Sequence, residues 1–360
     1  MKKRNNAIEF FRFILCCTVF FHHFKGYGDG TAFSGGYLGV DIFFVISGFF
    51  LMKHFAEKET DLSLSPERAT FSYLQKRISK LIPHHVFSWL IMAVITILLL
   101  RSYSVSDVLC YGCWEFFLLK ATGLGNNITV NGVTWYLSAL VICSYCIYWI
   151  LCCEKKYRNN NAEGFTVIIG PFIYALVISW MWNTRNDLNY WVQSAPVFTG
   201  GFLRGLSEMS LGCSVYAIVE ALKKKCISCK QISIFATFFE MIGWFGVFVH
   251  MYGHSDKNDF IIPLFSALLL VSMCVCDSYF TRLLNNRISA FLGRISYPMF
   301  LNQFIVIKTV SLLFPGKSFW KMTLLSLFIL IAFSICTDRL VKIISGNITG
   351  INLFRKKESL

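Results

Sequence analysis

Charge is what this sequence has least of. Asp, Glu, Lys and Arg make up 15% of its 360 residues, against about a quarter in an ordinary soluble domain, which argues against a water-soluble protein of one or two domains. Acid is scarcer than base, with 20 Asp and Glu against 34 Lys and Arg. In a soluble chain that surplus would point to nucleic acid. Here it accompanies 36 Phe and a 55% share of hydrophobic residues, so no nucleic-acid partner is expected, and such a composition excludes intrinsic disorder. The chain also lacks internal repeats and low-complexity tracts, which leaves an inverted-repeat transporter without support from that direction. Nor does any stretch between apolar runs reach the roughly 50 residues a soluble catalytic domain needs. Whatever chemistry the chain performs has to happen among its apolar segments.

Long apolar runs are what is present. A bilayer helix takes about 20 mostly apolar residues, and such windows lie near 7 to 25, 36 to 55, 84 to 101, 133 to 152, 165 to 183, 198 to 222, 230 to 250, 259 to 276, 288 to 311 and 320 to 344. Cytoplasmic loops are enriched in Lys and Arg. With the N-terminus in the cytoplasm, most basic residues fall on that side, leaving Lys25, Arg101, Lys120, Arg185, Lys257, Lys317 and Lys321 outside. The expected fold is therefore all-α: a polytopic bundle of about ten transmembrane helices, both termini cytoplasmic, in contact with membrane lipids. Residues 1–360 form a single membrane-embedded domain, with 355–360 a basic cytoplasmic tail. The first run follows Lys2, Lys3 and Arg4 as a signal sequence would. Glu9 and Arg12 interrupt its apolar core, however, and no small-residue cleavage site follows, so it reads as retained. Residues 56 to 83 read as a loop and an amphipathic helix that begins after Pro66 and ends at Pro83.

Fourteen cysteines include three C-x-x-C pairs, Cys110/Cys113, Cys143/Cys146 and Cys226/Cys229. A structural zinc site needs two such pairs, or added His, on one side of the membrane. These pairs fall outside, within a span and inside respectively, so no metal is expected. Asn127-Ile-Thr129 and Asn347-Ile-Thr349 match the glycosylation sequon, a pattern common by chance.

Ionisable residues inside spans are costly and mark function by default. Glu9, Arg12, His23, Asp41, Arg204, Glu208, Glu240, Arg294 and Lys308 lie in or near that zone. Ion pairs that glue helices together are the alternative for any one of them, and Arg204 and Glu208 are i,i+4 neighbours. The first helix is more specific. Eleven residues separate Arg12 from His23, which leaves about 20° between their directions and about 16 Å along the axis. Glu9 lies within about 40° of His23 and three residues from Arg12. His22 points about 80° away from Arg12 and reads as filler.

Asp41 enters the second span at a depth near that of His23, where a carboxylate would orient an imidazole and raise its basicity; capping or pairing elsewhere is the alternative. Ser47-Gly48 reads as a close helix-packing point, with Ser47 as nucleophile the sharper alternative. Arg68, Lys76, Arg77 and Lys80 share one basic segment before Pro83. It suits anionic lipid headgroups and a phosphorylated cofactor equally well.

Taken in order, IEFFRFILCCTVFFHH, GYLGVDIFFVISGFF, KRISKLIP, TWYLSAL, LRGLSEMSLG and LGRISYPMFLNQF resemble the acyltransferase-3 family of integral-membrane acyltransferases. The specific part is the Arg12-x10-His23 spacing followed by FFVISG. The resemblance implies a ten-helix bundle in the plasma (inner) membrane of a bacterium and an acyl-CoA donor, commonly acetyl-CoA, arriving from the cytoplasm. Its functionally required Arg and His fall on Arg12 and His23. The family's Arg-rich element falls on Arg77 and Lys80, its Trp element on Trp135, and its SY-rich element on Ser296 and Tyr297. Lys80 stands where Arg is usual, Leu140 where many relatives carry Glu, and Gln303 where His often ends the SY-rich element. The last two departures place the chain nearer the short glycan O-acetylase-like members, which lack a fused extracellular hydrolase-like domain.

The expected activity is therefore O-acyl transfer, acetyl in the first instance, to a hydroxyl of a cell-surface glycan or its lipid-linked precursor. CoA phosphates would meet Arg77, Lys80, Lys76 and Arg68, with the pantetheine arm passing Arg12. His23 would deprotonate the acceptor, or carry the acyl group itself, with Asp41 orienting the ring. Acceptor contacts are expected from the segment around Asn126 to Trp135 and from Arg204. A transporter or flippase using the buried charges as a permeation path is the alternative.

Overall fold

The structure, a computed structural model, describes residues 5–24, 33–57, 64–123, 128–157, 163–184, 188, 199–225, 230–253, 256–275, 278–314 and 319–357. Among these the chain is all-α, with thirteen α-helices and no strand. In chain order they are α1 (Asn6–His23), α2 (Gly39–Glu57), α3 (Pro66–Val94), α4 (Val105–Cys110), α5 (Cys113–Phe116), α6 (Thr134–Tyr157), α7 (Glu163–Thr184), α8 (Gly200–Lys225), α9 (Lys230–Tyr252), α10 (Ile262–Val275), α11 (Tyr279–Leu284), α12 (Arg287–Leu313) and α13 (Phe319–Lys357). Every window expected to span the bilayer holds a helix. Seven helices among the described residues meet the length and apolarity of a span outright: α2, α3, α6, α9, α10, α12 and α13. The remaining windows belong to α1, α7 and α8. Of these, α1 and α8 carry Glu9, Arg12, Arg204 and Glu208, and the apolar part of α7 is the shorter Ile168–Met181. The chain is an all-α polytopic membrane protein.

Local sequence sets the helix ends. Asn5 caps α1, its side chain accepting the Ala7 N–H at 3.1 Å while its amide donates to the Met273 carbonyl at 2.9 Å. A helix N-terminus satisfied this way is also tied to the end of α10. Ser65 caps α3 ahead of Pro66, a position where proline's missing N–H costs nothing. The amphipathic helix does not stop at Pro83 as expected. Instead α3 runs through it into the bilayer and ends in a single π-helical turn, Ile95–Leu99. Just before this proline the Tyr297 hydroxyl of α12 donates to the Leu81 carbonyl at 2.9 Å, which ties α3 to α12.

Packing distinguishes a central layer from a peripheral one. In the α2 span 78% of residues are buried, against 28% in α9 and 33% in α13; a helix apolar all round belongs in the middle. Its largest partner is α8, and α1 packs chiefly on α12. Both contacts need glycine. A Cβ on Gly48 would collide with the Met209 backbone, and one on Gly212 with the Val45 carbonyl, so α2 and α8 touch backbone to backbone. Gly293 leaves room for the Glu9 side chain where α12 crosses α1. These contacts fix α1, α2, α8 and α12 around one another, and Glu9, Arg12, Asp41, Arg204 and Glu208 belong to three of these helices, α1, α2 and α8.

Candidate active site

The face of α1 that carries Glu9, Arg12 and His23 turns toward α12. At one end Arg12 Nη1 donates to Glu9 Oε2 at 3.3 Å, with Glu9 buried against Gly293 and Arg12 half-buried. At the other end the His23 ring packs on Phe304, with centroids 4.6 Å apart. Its Nδ1 lies 3.1 Å from Gln303 Oε1. Gln303 is fully buried, and its amide nitrogen donates to the Phe300 carbonyl at 2.9 Å.

His23 opens on a cavity of about 310 Å³ whose wall includes His22, Tyr37, Trp135, Arg204, Phe300 and Phe304. His22 is therefore more than filler. It borders the cavity, and its Nδ1–H donates to the Ser34 carbonyl at 2.7 Å. The helical angle that separated it from Arg12 did not reckon with a cavity that wraps around the end of α1. Of the expected acceptor segment, Gly132, Val133 and Trp135 line the cavity, while 124–127, Asn126 and the sequon Asn127 among them, lie outside the described residues. Lys25 and the Cys226/Cys229 pair lie outside them too. Cys110 and Cys113 are both free thiols.

Arg204 forms the buried polar part of this wall, 2% exposed, its guanidinium 5.3 Å from the centre of the Trp135 ring. The expectation that Asp41 orients His23 is corrected here. Asp41 instead takes a bidentate pair from Arg204, Nε to Oδ1 at 2.9 Å and Nη2 to Oδ2 at 2.7 Å. The fork geometry of guanidinium on carboxylate holds both oxygens, and the contact at His23 is with Gln303. The ion pair of Arg204 is with Asp41 rather than with its i,i+4 neighbour Glu208, which is also buried.

Tyr37 shows a support that sequence reasoning missed. Its hydroxyl donates to Asp259, which is buried, accepts the Leu188 N–H at 3.1 Å and faces His250 Nε2 at 3.5 Å. An acidic residue opening the apolar run 259 to 276 was the available signal.

Towards the Arg12 end the expected cation group separates. Arg77 is half-buried and donates to the Tyr73 hydroxyl at 2.7 Å; that ring stacks on Tyr148 at 4.0 Å. Arg68, Lys76 and Lys80 are exposed. Ser47 is half-buried on α2. The Tyr136 ring packs against Phe43, Phe44 and Phe300, with centroids 6.2, 4.7 and 5.3 Å away. Phe300 joins this aromatic cluster to the His23 cavity, whose wall it also forms. Tyr297 is spent on the Leu81 carbonyl and the edge of His84.

Near the cavity, Glu115 on α5 ties down the connection between α3 and α6. Its carboxylate accepts the Val130 N–H and the Asn131 N–H at 2.7 Å each and the Thr134 hydroxyl at 2.6 Å. Burial pushes its pKa up from the ordinary carboxylate range to about 7, against the pull of those donors and of Lys120. Asn131 and Ser88 both donate to the Leu301 carbonyl, at 3.0 and 2.7 Å, two residues before Gln303.

His23, at the C-terminal end of α1, thus borders a cavity of a polytopic helical bundle. A family model described as an acyltransferase domain matches residues 5–337. The chain belongs to the acyltransferase-3 family. No curated protein and no solved structure matches it.

Proposed function

We propose that this membrane acyltransferase moves an acyl group, acetyl in the first instance, from cytoplasmic acyl-CoA to a hydroxyl of a cell-surface glycan or its lipid-linked precursor. One observation carries the reading: a single helix holds Arg12 and His23 eleven residues apart, with His23 at its C-terminal end in a cavity. Arg12 and the half-buried Arg77 fit the phosphorylated end of CoA, because arginine binds phosphate by charge-assisted hydrogen bonds. The exposed Arg68, Lys76 and Lys80 then draw the anionic donor to the surface.

On the other side, an acceptor hydroxyl in the cavity is a poor nucleophile at neutral pH. His23 takes its proton as the oxygen attacks the thioester carbonyl; the carbon–sulfur bond breaks, and the imidazolium returns the proton to the departing thiolate. In the relay form of the reaction the imidazole attacks first and holds the acyl group as acyl-histidine. Arg204, its charge matched by Asp41 and its guanidinium beside Trp135, gives the cavity wall a polar side chain able to donate hydrogen bonds to the developing oxyanion or to acceptor hydroxyls.

Purified protein in lipid vesicles, given acetyl-CoA labelled in the acetyl group and glycan from its host, tests this. Transfer of label to glycan, lost on substituting Arg12 or His23 by Ala, is the expected result. Movement of solute or lipid across the vesicle with no transfer would overturn it in favour of a transporter.

A further inference from the structure

We propose that Gln303 is a positioning residue that sets the tautomer of His23 and so makes Nε2 the basic nitrogen of the ring. This inference rests on the reading of His23 as the base or acyl carrier, and it adds what decides which ring nitrogen does the work. His23 Nδ1 and Gln303 Oε1 are 3.1 Å apart. Taken alone the contact is ambiguous, because a glutamine amide offers an acceptor at one end and a donor at the other. The second bond of the amide removes the ambiguity. Gln303 Nε2 donates to the Phe300 carbonyl at 2.9 Å. Flipping the amide would bring its oxygen against that carbonyl oxygen, two acceptors face to face, with no donor between them. The oxygen therefore faces the imidazole, and only a protonated Nδ1 can satisfy it. In the neutral ring the lone pair is then on Nε2.

Three further observations make this a built arrangement. Gln303 is fully buried, so water does not compete for its oxygen. The backbone beside it is held from outside the helix, since the Leu301 carbonyl accepts from Ser88 Oγ and Asn131 Nδ2 at 2.7 and 3.0 Å. Asn131 is itself held by Glu115 through its N–H. Gln303 also stands behind the cavity wall while His23 is part of it. The partner is a neutral amide, so the ring is oriented without a buried negative charge to retain the proton, which leaves the imidazolium free to release it to the thiolate.

The test reads the tautomer directly. Protein labelled with ¹⁵N-histidine in lipid gives distinct nitrogen shifts for the two neutral tautomers. The chain has seven histidines, and the His23 signals are those lost in His23→Gln. His22, whose Nδ1 donates to the Ser34 carbonyl, serves as internal reference for the Nδ1–H form.

The expected wild-type result is Nδ1–H at His23. Gln303→Met, similar in volume but with no acceptor oxygen, should mix the tautomers. It should also lower kcat for acetyl-CoA-dependent release of CoA in host membranes by roughly tenfold or more, with KM for acetyl-CoA unchanged. Gln303→Glu keeps an oxygen at Nδ1 and should retain the Nδ1–H form, but a buried carboxylate would also hold the imidazolium proton and lacks the donor to the Phe300 carbonyl, so its rate should stay below wild type. An Nε2–H ring in the wild-type protein overturns the inference without need of any variant, as does a Gln303→Met protein that keeps both tautomer and rate. If His23→Ala still transfers acyl groups, the reading of His23 fails instead, while the tautomer measurement still decides what Gln303 does.

Discussion

Arg204 closes both carboxylate oxygens of Asp41, at 2.9 and 2.7 Å, across 163 residues of sequence. Both side chains are buried, at 2% and 0% exposure, and α2 and α8, the most closely packed helices of the bundle, carry one partner each. Removing one partner of a buried pair strands the other's charge and costs about 3–5 kcal/mol. Arg204→Ala and Asp41→Leu should each lower the unfolding midpoint in detergent sharply. The double variant Arg204→Met/Asp41→Leu should recover a large part of the loss. Single and double losses that simply add would show that the pair is not coupled.

The backbone contact between the same helices predicts a steric effect with no charge involved. Gly48→Ala places a methyl group against the Met209 backbone. Backbone cannot yield as a flexible side chain can, so the substitution should destabilise by about 1–3 kcal/mol. Gly253→Ala, whose added carbon meets only the Val249 carbonyl at 3.4 Å, should show a much smaller effect in the same thermal assay.

Glu115 predicts a pH dependence of definite sign. Its folded pKa is raised to about 7 from 4.5. Below pH 4.5 it is protonated whether the chain is folded or unfolded. Between 4.5 and about 7 only the unfolded chain loses the proton, so stability falls with rising pH through this window and levels off above it. The full change is about 3 kcal/mol for a group this buried. Stability of wild type and Glu115→Gln measured from pH 4.5 to 7.5 should show a steeper fall for the wild type; parallel curves would contradict the assignment.

Tyr37 is expected to matter through Asp259. Tyr37→Phe removes a hydroxyl that donates to a buried carboxylate and should cost about 1–3 kcal/mol. Asp259→Asn, which no longer presents a charge, should be damaged less by the same Tyr37 change. Thermal shifts for the two singles and the double separate a real coupling from independent effects.

Much of this was legible in the chain itself. Scarcity of charge and the apolar windows foretell every spanning helix, and period alone puts Arg12 and His23 on one face. Ser47-Gly48 foretells a close contact, which the structure places against Met209. What sequence could not supply is which distant side chains meet. Asp41 at the depth of His23 looked like its partner. The guanidinium that claims it comes from α8, and the group that meets His23 comes from α12, 280 residues away. Pro83 looked like a helix end because proline usually is one. Here α3 continues beside α12, held there by the Tyr297 hydroxyl on the Leu81 carbonyl.

The most direct measurement is transfer of labelled acetyl from acetyl-CoA to host glycan by the purified protein in lipid, wild type against His23→Ala, with folding of both confirmed by their unfolding midpoints. The account predicts transfer by the wild type and a loss of at least roughly a hundredfold in the variant, the usual cost of removing a positioned base. Transfer by a folded His23→Ala protein at a rate within twofold of wild type would contradict it.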